Sequence, residues 1–196
     1  TPPDAPTRAA LTAGARELDR LSGERIRQEL VKMLEAADPR RASAWMAELG
    51  VWAAVLGRTP ELDLLAGLVT VEPAPDPWRR LAAVLRPTTV EVDATAARLR
   101  LANAETALLK RLVAVPAMPP AGVDADDLRR ALYDWGTAVV VAAGLFGLAL
   151  EGGTGGAGAA WQRVRPANPG APPSPTTRAP RRAARRARGR WPRPGR

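Results

Sequence analysis

From about Thr7 to Leu150, apolar residues return at three- and four-residue steps, and that spacing constrains the fold more than any other feature of the chain. Leu11, Ala15, Leu18 and Leu21 follow it, as do Ile26, Leu30, Met33 and Leu34. A period near 3.6 puts such residues on one face of a helix. No alternating stretch is long enough for a convincing strand. Helix starts are marked where Asp38-Pro39, Thr59-Pro60 and Asp76-Pro77 set a capping side chain before proline. At the first helical position the missing proline N–H costs nothing. Gly50 and Gly57 stand where helices should stop. Apolar pairs that can staple a helix entrance flank Ser22 (Leu21 with Ile26) and Asp124 (Val123 with Leu128). The pattern predicts helices near 8–21, 23–37, 39–49, 51–56, 60–70, 77–86, 90–100, 104–115 and 125–150, with Gly136 a candidate break in the last. The expected class is all-α over residues 1–150.

Beyond Leu150 the character changes. Residues 151–160 read as a Gly/Ala linker, and 161–196 as a disordered Pro/Arg-rich tail with few apolar side chains to bury. The net charge of +9 comes from this tail, which holds eleven arginines and no acid. Residues 1–160 carry 18 basic and 20 acidic side chains, so the helical part is close to neutral. The chain has 27 arginines and two lysines, a bias that GC-rich coding DNA also produces. A frameshifted reading of such DNA and a genuine basic arm would give the same kind of tail.

The chain has neither cysteine nor histidine. That excludes disulfides, thiolate or imidazole metal sites, and nucleophile systems built on either residue. The apolar run Trp135–Leu150 has 16 residues and three glycines. It falls short of the roughly 20 needed to span a bilayer and reads as a buried helix. Thr1–Thr7 is proline-rich and no secretory core follows, which leads to an expected cytoplasmic location. Gly152–Gly156 lacks a preceding strand and a following Lys-Ser/Thr, so a linker is the better reading than a phosphate cradle. Trp45, Trp52, Trp78 and Trp135 fall on expected apolar faces and read as core.

The run Leu21-Ser22-Gly23-Glu24-Arg25-Ile26-Arg27-Gln28-Glu29-Leu30 resembles the neck-helix motif of bacterial CCA-adding tRNA nucleotidyltransferases, of the poly(A) polymerase family. Further segments resemble that family's body in the same order. They are Asp38-Pro39 with the helix ending Trp45–Gly50, then Arg98-Leu99-Arg100-Leu101-Ala102-Asn103-Ala104-Glu105, then Leu128–Tyr133. The resemblance covers roughly 8–150 and implies a multi-helix neck and body that binds tRNA. By resemblance, Glu24 and Arg25 support the helix that reads the incoming CTP or ATP. Ser22 can cap that helix, Glu24 suits its positive end, and Arg25 and Glu29 lie one turn apart on one face.

The family's catalytic head has a Gly-Ser phosphate loop and an Asp-x-Asp pair for Mg²⁺, and a Glu-Asp-x-x-Arg element reads the base. None of these is present. Asp124-Ala125-Asp126-Asp127 contains Asp-x-Asp but opens a helix without a preceding Gly-Ser. Thr1 without an initiator methionine fits a C-terminal fragment whose missing N-terminal head performs the chemistry, so this chain alone is expected to be inactive, with no catalytic or metal residues. Arg27, Lys32, Arg40, Arg41, Arg79, Arg80, Arg129 and Arg130 are candidate contacts to the tRNA backbone. Two other readings stay open. One is a helical protein–protein interaction module. The other is a non-specific nucleic-acid binder using Arg181, Arg182, Arg185, Arg186, Arg188, Arg190 and Trp191. No motif specifies the oligomeric state.

Overall fold

A computed structural model describes residues 4–15, 17–86, 91–118 and 123–151. The linker from residue 152 and the basic tail lie outside the described residues. Within the described residues the protein is all-helical, as the periodicity predicts. The helices are α1 (Ala5–Ala15), α2 (Gly23–Glu35), α3 (Arg40–Glu48), α4 (Val51–Leu56), α5 (Asp63–Val71), α6 (Pro77–Leu85), α7 (Glu91–Leu99), α8 (Asn103–Ala114), α9 (Ala125–Trp135) and α10 (Thr137–Leu150). No described helix is long and apolar enough to cross a membrane.

One continuous core joins α2 to α10. Ile26, Leu30 and Leu34 of α2, Trp52 of α4, Leu81 to Leu85 of α6, Leu109 of α8 and Phe146 of α10 all belong to it. The near-uniform apolarity of Val139–Ala149 is explained by place, since α10 lies inside the array and is buried on almost every side. It crosses α5 at Gly67, where an added Cβ would sit 2.6 Å from the Ala149 carbonyl oxygen. Trp52 and Trp135 are buried, whereas Trp45 and Trp78 are only half-buried.

Most stops and starts follow local chemistry. Asp76 caps α6 by accepting from the Arg79 N–H at 2.8 Å, with Pro77 opening the helix. Gly50 and Gly57 take the left-handed conformation, at φ 75° and 77°. Three boundaries differ from expectation. The helix expected over 8–21 ends at Ala15, followed by a 3-10 turn, Leu18–Arg20. Ser22 can cap α2 only from extended backbone, at φ −65° and ψ 143°, so the preceding helix cannot run into it. Pro60 is buried and does not open α5, which starts at Asp63. Pro39 takes the cap position and α3 begins one residue later, where the Arg40 N–H donates to the Asp38 carboxylate at 3.0 Å.

Four of the body's arginines are spent at helix ends. The last carbonyls of a helix lack partners within it and carry partial negative charge. Arg80 donates to Leu34 and Ala36 at the end of α2, and Arg58 to Leu85 at the end of α6, at 2.9 Å. Arg86 donates to Val115 just beyond α8 at 2.6 Å, while Arg111 reaches Asp134 and Trp135 at the end of α9. Arg86 also lies over the Phe146 ring, 4.9 Å from its centroid, and burial lowers its guanidinium pKa.

Candidate functional site at the entrance of α2

Two of the segments quoted for the family resemblance, Leu21–Leu30 and Arg98–Glu105, far apart in sequence, meet here. Ser22 Oγ accepts from the Arg25 N–H at 3.4 Å and caps α2. Gly23 is buried directly under the end of α7, where an added Cβ would lie 2.2 Å from the Arg98 carbonyl oxygen. Only glycine lets the two backbones come so close. Arg98 in turn donates to the Leu18 carbonyl at 2.8 Å, tying α7 to the 3-10 turn before Ser22.

Charge pairs complete the joint. Glu24 meets Arg100 at 3.1 Å, and Arg27 meets Glu105 at 3.0 Å. Glu105 also accepts from the Ala102 N–H at 2.7 Å, half of a capping box at the start of α8. Arg100 adopts φ 49°, a left-handed conformation uncommon outside glycine, at the sharp turn between α7 and α8. The Glu24 carboxyl is held below its ordinary pKa, first by its own backbone N–H and then by Arg100. Arg100, Glu105 and Gly23 therefore form part of the site. Nothing local in the sequence announces these roles, because each partner lies more than seventy residues away.

The other candidates divide. Arg25 and Glu29 do not pair; Glu29 instead holds Lys32 at 2.8 Å. Among the described residues the exposed Arg25 guanidinium has no hydrogen bond or ion pair. Arg40 is gripped through two nitrogens by Asp38, at 2.8 and 2.6 Å, and these bonds lower the Asp38 pKa to about 2. Arg41 lies over the Trp45 ring at 4.5 Å and stays exposed. Arg129 and Arg130 are surface residues paired with Asp126 and Asp127, at 2.5 and 3.0 Å.

Arg79 and Arg80 are not the surface cations expected from the sequence. Arg79 meets Glu72 at 2.8 Å with its side chain 11% exposed, and Arg80 meets the same carboxylate with 1% exposed. Their charge is consumed inside the fold, out of reach of a phosphate.

The acidic run at α9 does not fit Mg²⁺. Asp124 accepts from the Asp126 N–H at 2.8 Å as a helix cap, and the two aspartates beside it are occupied by arginines. Among the described residues no three His, Cys, Asp or Glu come together as a metal site would require.

Residues 3–65 match a protein family described as "probable RNA and SrmB-binding site of polymerase A". The match contains α1 to α4, the α2 entrance among them, and runs into α5. No curated protein matches the chain.

Proposed function

We propose that the chain, whose residues 3–65 match the RNA-binding region of polymerase A, belongs to the poly(A) polymerase and CCA-adding family and serves as the neck and body of a CCA-adding tRNA nucleotidyltransferase. In this reading residues 4–151 position tRNA and perform no chemistry. The catalytic head, with Mg²⁺ and the substrates CTP and ATP, belongs to a separate part of the parent enzyme. The parent works in the cytoplasm.

One observation carries the reading. The Ser22–Glu29 run, inside the matched residues, and the Arg98–Glu105 run, which resembles the family's body, are stitched together by Glu24–Arg100 and Arg27–Glu105. A joint of this kind makes the entrance of α2 a rigid shoulder, on which a base-reading element can be held in register. RNA would be gripped by phosphate neutralisation through cations that remain on the surface, Arg25, Lys32, Arg41, Arg129 and Arg130 among them.

The test is tRNA binding by the chain with and without residues 161–196, at several salt concentrations. Binding that survives removal of the tail, and weakens when Arg25, Lys32 and Arg41 are replaced by glutamine, supports a tRNA-positioning body. Loss of all binding with the tail would transfer the activity to a non-specific basic arm and overturn the proposal. Nucleotide addition to tRNA by this chain alone, from CTP or ATP, would overturn it equally.

A further inference from the structure

Arg100 closes α7 at a position that glycine commonly fills. The Leu101 N–H donates to the Ala96 carbonyl at 2.9 Å and the Arg100 N–H to the Ala97 carbonyl at 3.2 Å, the paired bonds of a Schellman turn. Such a turn needs one left-handed residue, and Arg100 supplies it at φ 49°. The other positive φ values among the described residues, at Gly50, Gly57 and Gly136, all fall on glycine. Glycine would build this turn without the crowding that a Cβ brings, so the backbone gives no reason for an arginine.

The rest of the fold gives little more. Arg100 reaches Glu24 through Nη1 alone, at 3.1 Å, with the two side chains 68% and 43% exposed. A pair so open to water contributes little to stability. The bond that Arg27 makes here, at 3.4 Å, ends on the Arg100 carbonyl, which any residue offers. By contrast, Arg80 and Arg86 each hold two helix-end carbonyls from buried or half-buried positions. Backbone strain kept for a solvent-facing side chain points to a duty outside the fold.

We infer that Arg100 binds a phosphate of the RNA backbone. Its stem is steadied against Gly23, where an added Cβ would stand 3.1 Å from the Arg100 Cγ. Glu24 holds Nη1, while Nε and Nη2, the other edge of the fork, have no partner among the described residues. That edge carries two N–H donors side by side and matches two oxygens of one phosphate. Gly23 and Glu24 lie within the residues matched to an RNA-binding region, and Arg100 lies outside them. The turn between α7 and α8 thus brings a cation from the body to the mouth of that region. The inference rests on the RNA-binding reading and adds a contact to it.

The test is binding of a tRNA transcript to the whole chain at several salt concentrations, for the parent, Arg100→Gly, Arg100→Lys and Glu24→Gln. Arg100→Gly relaxes the turn and removes the phosphate contact. It should melt no lower than the parent and bind tRNA about five- to tenfold more weakly. The slope of log affinity against log salt should fall in magnitude by about 1. Arg100→Lys keeps the charge but not the fork, so the slope should return in full and the affinity only in part. Glu24→Gln removes the acid that competes for Arg100 and should tighten binding, while Arg27–Glu105 and the Gly23 contact keep the joint closed.

Weaker binding in Glu24→Gln as well, or a lower melting temperature in Arg100→Gly, would make the pair a strut of the joint and overturn the inference. Unaltered affinity and slope in Arg100→Gly would overturn it directly. ATP that displaces tRNA from the parent but not from Arg100→Gly would assign the phosphate to a nucleotide, and would overturn it too. Full tRNA binding by Arg100→Gly leaves the wider RNA reading standing, whereas a parent chain that binds no tRNA ends both.

Discussion

The Arg27 guanidinium lies 3.0 Å from the Glu105 carboxylate, joining the second turn of α2 to the first turn of α8 across 78 positions of sequence. Both side chains are a little under one-third exposed, so water screens the pair only in part. Glu105 has a second duty on the Ala102 N–H, which Arg27 does not share. Arg27→Ala is expected to cost about 1 kcal/mol, and Glu105→Ala about 1–2 kcal/mol because a cap goes with it. A double-mutant cycle from chemical denaturation checks both figures. A coupling energy indistinguishable from zero would show that the joint holds without this pair.

Arg80 offers a sterner case. Its side chain is buried, and its removal would leave one oxygen of the Glu72 carboxylate and the carbonyls of Leu34 and Ala36 without their donor, while Arg79 keeps the other oxygen. Breaking one side of a buried pair typically costs about 3–5 kcal/mol. Arg80→Met should therefore lower the melting temperature sharply, while Arg80→Met with Glu72→Gln should recover part of the loss. Arg80→Gln on the exposed surface of a fold would be nearly silent; here a silent result would contradict the buried clamp.

Two glycines should respond to alanine with opposite signs. Gly14 lies in α1 with nothing within 4 Å of an added Cβ, so Gly14→Ala should stabilise by about 0.5–1 kcal/mol through helix propensity. Gly23 opens α2 beneath the Arg98 carbonyl, where a Cβ would stand 2.2 Å away. Backbone would have to move, and Gly23→Ala should destabilise by about 1–3 kcal/mol. Thermal melts of the two variants against the parent chain decide the matter.

Asp38 sets a pH dependence with a definite sign. Hydrogen bonds from the Arg40 side chain and backbone lower its pKa from 3.8 to about 2. A depressed carboxyl pKa means that the unfolded chain takes up the proton first. The stabilising contribution is thus fully present above the unfolded value of 3.8 and is lost as pH falls through about 2. Carboxyl carbon resonances followed against pH should give Asp38 a midpoint near 2, moving up towards 3.8 in Arg40→Ala. An unchanged midpoint in that variant would remove Arg40 as the cause.

Features governed by near neighbours were legible from the chain alone. Helical periodicity, the Ser22 and Asp76 caps, the left-handed stops at Gly50 and Gly57, and the break at Gly136 all depend on residues within one or two turns. The resemblance of Ser22–Glu29 to a neck motif was readable for the same reason, because it lies in consecutive letters. The fates of the arginines were not. Arg80, Arg86, Arg25 and Arg41 are the same side chain, yet one clamps a buried helix end, one stacks over Phe146, one stands free and one covers Trp45. What separates them is whether folding brings a carbonyl, a carboxylate or a ring within reach, and those partners come from distant segments. Long-range packing therefore turned two expected phosphate contacts, Arg79 and Arg80, into structural ties on Glu72, and made Gly23 a point of contact between α2 and α7.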